Sequence, residues 1–339
     1  MSQPKHKVMP KGKTSLTYKA GHTGVSNQNV NQKQEPVEWK KGPKVDQLDI
    51  LVDVQEEYHG EICYQVAYLP SEIDGLTSYE LHDKAYNNFQ YGYGYKLAKV
   101  ALFSIRCFPR FGGAFVKITS CPAELVRTGK LITFGKLFSH TISCLPKVDY
   151  RANRMDLAYD FDMSGQELVW YSTRAKKGFV YPGSTWGTSY LGSNRSNLQI
   201  RIYDKATQLK KVKGVEIAQG QMMRLELILR RAYLPADFPI GLTAMKNPLH
   251  GIRPYSRLAV INWLKKHGYA DLVADFLQDG LQKALAQLPP KERKAIVAAL
   301  DKFAVPKWWN PNQVWCALIE HALKHPVMEI LKGGKPKAS

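Results

Sequence analysis

The sequence predicts an α+β fold in which strands come first and helices last. Two observations carry this. Between Val45 and Arg231, apolar and polar residues alternate in short runs, the period of a half-buried strand. From about Tyr255 onward, apolar residues recur every three to four positions, the period of an amphipathic helix. A third observation, a formal charge of +19 over 339 residues, says more about partners than about fold.

Each element has its own signal. From Met1 to about residue 44 the chain is rich in Lys, Gln, Asn, Ser and Gly and nearly free of aliphatic side chains. Such a stretch cannot bury enough apolar surface to offset its ordering entropy, so it reads as a disordered basic arm. VDQLDILVDV, from Val45, is alternating and β-branched and opens the folded part as a strand. LTSYELHDKAYNNF reads as a helix that Thr77 or Ser78 can cap. YGYGYKLAKVALF, SIRCF and AFVKITS read as strands, broken by turn signals at Pro109 and Gly112-Gly113. PAELVRTGKLITFGKLFSHTISCL is mostly helical by its apolar spacing, despite Gly129 and Gly135.

RMDLAYDFD, Arg154 to Asp162, is a strand. SGQELVWYST reads as a short helix capped by Ser164, and a Gly-rich stretch runs from Lys177 to Thr188. IRIYDK is a strand, TQLKKVKGVEIAQGQ a hairpin loop or short helix, and QMMRLELILRR another strand. SRLAVINWLKKHG, ADLVADFLQDGLQKALAQL, PKERKAIVAALDKF and PNQVWCALIEHALKH read as helices, with Pro290 and Pro311 suited to helix starts. The expected organisation is an arm over 1–44, an α+β domain over 45–240, a helical region over 241–330 and a basic tail over 331–339. No repeat is visible by eye, though two similar β-rich lobes can hide in the first part.

Composition bounds the function. The chain is 44% hydrophobic and 11% aromatic, as a folded protein should be. An excess of Lys and Arg this large, with a pI near 9.6, points to a polyanion, nucleic acid before a membrane surface. No apolar run approaches the roughly 20 residues of a membrane span, and no secretory signal opens the chain. Cys63, Cys107, Cys121, Cys144 and Cys316 are scattered and form no CxxC pair, which argues against a zinc ribbon or a disulfide framework and for a reducing cytoplasm. Each reads as a small core hydrophobe.

Three strands carry the chemistry. In IRIYDK, the residues Arg201, Tyr203 and Lys205 fall on one face and Ile200, Ile202 and Asp204 on the other. A phenol among cations is easier to deprotonate and can act as a covalent nucleophile, while Arg and Lys suit a phosphodiester. RMDLAYDFD puts Arg154, Asp156, Ala158 and Asp160 opposite an apolar face, and MRLELIL groups Arg224, Glu226 and Ile228. If these strands are neighbours, the carboxylates Asp156, Glu226 and Asp160 converge with Tyr203 and suit a hard cation such as Mg²⁺ or Mn²⁺. Arg154, Arg195, Ser196 and Arg224 are the candidate DNA contacts. The bland alternative is a set of Arg–carboxylate pairs inside a sheet.

Other candidates are weaker. Tyr190, just before Leu191-Gly192-Ser193, is the second candidate nucleophile and lacks the flanking cations of Tyr203. The nine histidines include no H-x-H pair. His321 and His325 have the i, i+4 spacing of some zinc sites but no HExxH pattern, so a surface or core pair is expected. Trp308 and Trp309 can stack on unpaired bases or anchor the last helix, the second being the expected role.

RMDLAYDFD, YLGSNRSNLQIRIYDKATQ and RLELILRR, in this order and spacing, resemble the Rep_trans replication initiation factor family, over roughly Val45 to Tyr233. That family comprises rolling-circle initiators of plasmids, initiators of filamentous phages, and related relaxases. The resemblance implies a curved antiparallel sheet with helices, similar to the TATA-binding-protein saddle, and leaves a two-lobed arrangement open. It implies a metal-dependent nickase and strand transferase, with Tyr203 as nucleophile and Asp156 and Glu226 as ligands of Mg²⁺ or Mn²⁺; Asp160 is a further candidate. The implied partners are origin DNA with a melted or hairpin nick site and a host helicase and polymerase, in the cytoplasm of a bacterial host. A homodimer is left open. Two other readings stand beside it: an origin-binding initiator or regulator without chemistry, and a conjugative relaxase of the same family. A tyrosine recombinase would need an Arg/His box around its tyrosine, which this chain lacks. The helical part after Pro235 has no counterpart in the resemblance.

Overall fold

The computed structural model describes residues 41–54, 56–58, 61, 72–73, 76–80, 91–97, 100–110, 113–143, 150–163, 167–173, 178–180, 188–217 and 221–332. A leading unit, Met1–Glu35, lies outside those residues, as do residues 1–40 of the expected arm and most of the expected basic tail; the arm's expected end at 44 is corrected, since β1 already begins at Gly42. Cys63, Cys144 and the Gly-rich stretch from 181 to 187 lie outside them too.

The protein is α+β. Its strands are β1 (Gly42–Val54), β2 (Glu72–Ile73), β3 (Leu76–Glu80), β4 (Tyr91–Leu97), β5 (Val100–Arg110), β6 (Gly113–Ser120), β7 (Tyr150–Phe161), β8 (Leu168–Ser172), β9 (Gly178–Val180), β10 (Ser189–Leu191), β11 (Leu198–Asp204), β12 (Met223–Arg230) and β13 (Ile252–Ser256). Its helices are α1 (Pro122–Arg127), α2 (Leu131–Ser143), α3 (Lys205–Gln208), α4 (Arg257–Lys266), α5 (Ala270–Asp279), α6 (Leu281–Ala286), α7 (Pro290–Phe303), α8 (Pro311–Lys324) and α9 (Pro326–Leu331). Among the described residues, eleven strands form one sheet in the order β2-β3-β4-β5-β6-β1-β7-β12-β11-β10-β9, and β13 pairs with β8 separately. Every pairing is antiparallel.

The topology repeats. β1 starts one half, and the meander β3-β4-β5-β6 ends beside it. β7 starts the other, and β9-β10-β11-β12 ends beside it. β1 and β7 pair at the centre.

One face of the sheet is apolar because each strand alternates. Leu48, Ile118, Ile105, Leu157, Leu225 and Ile202 are buried there, sharing a core with Phe134 of α2 and with Val314, Trp315, Leu318 and Ala322 of α8. Phe103 meets Phe134 edge-on at 5.5 Å, and α8 lies against β1 and β7. A second core joins Val169 and Tyr171 of β8 and Tyr255 of β13 to α4–α7. The C-terminal helices thus serve two cores, and α8–α9 complete the core of the sheet.

Several local expectations are corrected. LTSYE forms β3, not a helix start, and residues 81–90 are outside the described set. LVWYS forms β8, not a helix; all five residues are buried, so no alternation marked it. VALF and SIRCF are one strand, with Pro109 inside it. The expected helix from Ala270 breaks at Gly280. Pro290 and Pro311 do open helices. Trp309 is an anchor: its indole donates to the Ile252 carbonyl at 3.2 Å. Trp308 is more exposed and packs on Phe161 at 5.3 Å. Cys316 is exposed, so it is not a core hydrophobe, whereas Cys107 is one.

Candidate active site on the sheet

β7, β12 and β11 are consecutive, and their register puts the candidate residues together. Asp160 lies opposite Arg224, and Arg224 opposite Tyr203. One row along, Ala158 faces Glu226 and Glu226 faces Arg201. Residues opposite each other in an antiparallel pair share a face. Asp156, Asp160, Arg224, Glu226, Arg201 and Tyr203 therefore occupy the polar face, away from the helices that cover the other one.

β1 adds residues that periodicity did not single out. A bulge between Val45 and Gln47 turns Asp46 toward this cluster, where it meets Arg224 at 3.1 Å. Lys44 reaches Asp160 at 2.8 Å. An extra residue in a strand breaks the two-residue count, so the alternation of VDQLDILVDV gave no sign of Asp46.

The cluster has two electrostatic parts. In the first, Arg224, 1% exposed, makes two hydrogen bonds to Asp160 at 2.6 and 2.9 Å. Burial opposes the Asp160 charge, but Arg224 and Lys44 outweigh it and hold the carboxyl down at about 2. Burial likewise opposes the Asp46 charge and is outweighed by Arg224 and Lys205, leaving that carboxyl below its usual range. Arg224 as a DNA contact is therefore corrected: its guanidinium is committed to two carboxylates and has almost no surface. Asp160 is ion-paired in the same way, which is the bland reading of that residue.

In the second part, charge compensation is uneven. Glu226 is 5% exposed, and its ion pair with Arg201 is stretched to 4.0 Å. Burial, then Asp156 and Asp46, push its carboxyl up to about 7. Asp156 is raised by burial even though Arg154 donates to both its oxygens at 2.7 and 2.6 Å. Arg154 is engaged there, with a quarter of its side chain still exposed.

Tyr203 is 7% exposed. Burial and then the charge of Glu226 push its phenol well above the usual tyrosine range, against the opposing pull of Arg224. The expected effect of flanking cations is thus reversed. Lys205 explains part of this. The strand ends at Asp204, which caps α3 by accepting from Thr207 N at 2.9 Å, so Lys205 is the first helical residue. Its ammonium donates to Gln208 at 2.8 Å and lies 5.7 Å from the Tyr203 ring centroid, near the phenol but not in a strand row with it.

Tyr190 lies opposite Arg201, whose guanidinium is 5.9 Å from its ring, and it is half-buried. The second candidate is therefore both more accessible than Tyr203 and beside a cation. Arg195 is exposed in the Ser193–Ser196 turn, where Ser196 donates to Ser193 O at 2.7 Å and to Leu198 O at 2.5 Å. Gly192, at φ +91°, enters this turn; a Cβ there would lie 2.9 Å from Leu198 O. Leu198 and Tyr203 sit at opposite ends of β11, roughly 17 Å apart at ~3.4 Å per residue. The fold does not bring Arg195 and Ser196 to the tyrosine.

A hard divalent cation fits the chemistry of the second part. Glu226 and Asp156 are buried carboxyls held toward the protonated form by burial and then by neighbouring carboxylates, Asp156 and Asp46 for Glu226 and Asp46 for Asp156, which is the deficit that a cation relieves. Among the described residues, no group of three or more His, Cys, Asp or Glu is placed to hold a metal ion. Mg²⁺ needs no such cage, because one or two carboxylates with substrate oxygens and water complete its shell. The His321 and His325 rings are 5.7 Å apart, and His325 caps α9 through Nδ1, which accepts from Val327 N at 3.2 Å.

No protein-family model matches the chain, and no curated protein matches it. Among solved structures, it is similar to one described as a rolling circle replication initiator protein from Geobacillus stearothermophilus. The two share 19% identity over 64% of this chain and 88% of that one, with a TM-score of 0.37. A likeness this distant decides nothing about chemistry. No helix among the described residues is long and apolar enough to cross a membrane.

Proposed function

We propose that the protein is a replication initiator that nicks and rejoins one DNA strand at an origin through Tyr203. The observation behind it is the convergence, on one polar face, of a phenol with two buried carboxyls, Asp156 paired to Arg154 and Glu226 whose nearest ion pair is stretched to 4.0 Å. Tyr203 Oη attacks the scissile phosphorus, an Oη–P bond forms and the P–O3′ bond breaks. The phenolic proton leaves to water, and the departing 3′ oxygen takes one from water. The products are a 5′-phosphotyrosyl link and a free 3′-OH, and reversal of the same exchange rejoins the strand. Arg201 is the residue to hold the phosphate. Glu226 and Asp156 would hold Mg²⁺ or Mn²⁺, which when bound supplies positive charge that cancels the push of Glu226 on the phenol. A phosphate reaches Tyr203 only if neighbouring side chains on this face move. Origin DNA, a host polymerase and helicase, and a bacterial cytoplasm belong to this reading.

Burial of Tyr203 favours a second reading, an origin-binding protein without chemistry. One experiment separates them. Supercoiled DNA carrying the chain's own gene and flanking sequence is incubated with the protein with and without Mg²⁺, and trapped adducts are mapped by mass spectrometry. Nicking with an adduct at Tyr203, lost in Tyr203→Phe, supports the proposal. An adduct at Tyr190 moves the nucleophile one strand over, and binding without any nick in Mg²⁺ establishes the second reading.

A further inference from the structure

The polar face does not stop at β7. Asp49 of β1 lies opposite Arg154 on one side and Thr119 of β6 on the other. From there the rows run on to β5 and β4: Lys117 faces Arg106, and Phe115 faces Phe108. This is the side away from Ile118, Ile105 and Phe103, which are buried in the core.

β4, β5 and β6 contain no Asp or Glu, and they bring Lys96, Arg106 and Lys117 to this face. On the neighbouring strand β1, Asp49 lies 2.7 Å from Lys117, and Asp53 is paired with Arg151. Phe108 and Phe115 stack at 4.8 Å with 10° between their planes, and both are half-exposed. Tyr79 of β3 lies over Gly94, so closely that a Cβ there would be 2.2 Å from its ring, and Lys96 is 5.2 Å from the ring centroid. A cross-strand ring pair strengthens a hairpin by itself. Its position among cations, on the side away from the core that the described residues form, is what sheet packing does not require.

We propose that the polar face of the first half-sheet binds single-stranded DNA flanking the scissile phosphate, with Phe108, Phe115 and Tyr79 as stacking surfaces and Lys96, Arg106 and Lys117 along the phosphates. The proposal rests on the nicking reading for the place of that strand. Flat aromatic surfaces interleaved with cations suit unpaired bases, whose faces a duplex hides. Continuity with the site supports the same occupant: β5 and β11 are five strand spacings apart, roughly 24 Å at ~4.8 Å per spacing. A strand laid on this face can run from the first half-sheet to Tyr203.

The test uses the full chain and fluorescein-labelled oligothymidylate, read by anisotropy over a salt series, with a duplex of the same length alongside. The Phe108→Leu/Phe115→Leu double variant keeps apolar volume and should bind the single strand about tenfold more weakly. Arg106→Gln should flatten the slope of log affinity against log salt by about 0.7, the amount for one phosphate on a single strand. Unchanged single-strand affinity and slope in both variants would overturn the proposal, as would an equal loss for duplex and single strand. If the double variant does not fold, by circular dichroism, Arg106→Gln decides alone. Nicking by Tyr203→Phe tests the other reading separately, because that variant keeps every residue of this face.

Discussion

The two halves of the sheet share a strand order, β2 aside, and one continuous polar side, but that side differs in character between them. In the first half, the face is half-exposed, cationic and aromatic, and its carboxylates lie on the central strand β1. In the second, the face is buried and carries Asp156, Asp160 and Glu226 beside Arg224 and Tyr203. The shared topology rests on the apolar face, where both halves bury the same kinds of residue against helices. The polar face is under no such demand, so each half spends it differently. A buried charge is tolerated in the second half because most carboxylates there have a guanidinium. The exception is Glu226, whose guanidinium partner Arg201 stands off at 4.0 Å, and the proposed chemistry is placed there for that reason.

The largest expected effect is on that exception. Glu226→Ala and Asp156→Ala should each abolish nicking and weaken Mn²⁺ binding measured by titration calorimetry on the DNA-free protein. Arg106→Gln in the first half should leave Mn²⁺ binding unchanged. Wild-type Mn²⁺ affinity in Glu226→Ala would remove the residue from any metal site.

Next in size is the buried pair. Arg224→Met leaves Asp160 and Asp46 in the sheet without their main counter-charge and should cost about 3 kcal/mol in urea unfolding, since breaking one side of a buried pair is expensive. A loss under about 1 kcal/mol would mean that Lys44 alone compensates Asp160.

Stability against pH should show Glu226 directly. Its carboxyl titrates at about 7 when folded, against 4.5 for an unperturbed one. The stability tied to its proton is complete below about pH 4.5 and lost as pH rises through about 7. Glu226→Gln should remove that loss and stabilise the protein at pH 8 by up to about 3 kcal/mol, at ~1.4 kcal/mol per pH unit. Parallel pH–stability curves for the two proteins would contradict the assignment.

The smallest effect belongs to the first half. Asp53→Asn breaks a pair with Arg151 in which both side chains are about a third or more exposed, and should change stability by no more than about 1 kcal/mol. A cost as large as that of Arg224→Met would show that the two faces do not differ as described.

Much of this was legible in the chain. Period-two alternation in RMDLAYDFD, IRIYD and MRLELIL assigned the faces of β7, β11 and β12 correctly, because one side of each strand must be apolar to reach the core. Where both sides are buried, as in LVWYS of β8, the alternation vanishes and the signal with it. Lys205 was placed on the strand because alternation has no stop sign, whereas the Asp204 side chain accepting from Thr207 ends it.

The sequence by itself determined the α+β class, the apolar face of each of these strands, and the set of residue types available opposite it. Only the tertiary structure decided that β7, β12 and β11 are neighbours, that a bulge brings in Asp46, and that Arg224 is buried between two carboxylates while Arg195 is exposed at the far end of β11. Alternation is set by one strand's own geometry. Strand order, bulges and burial depend on residues far apart in the chain, and so does the environment that raises the Tyr203 phenol where the local sequence predicted the reverse.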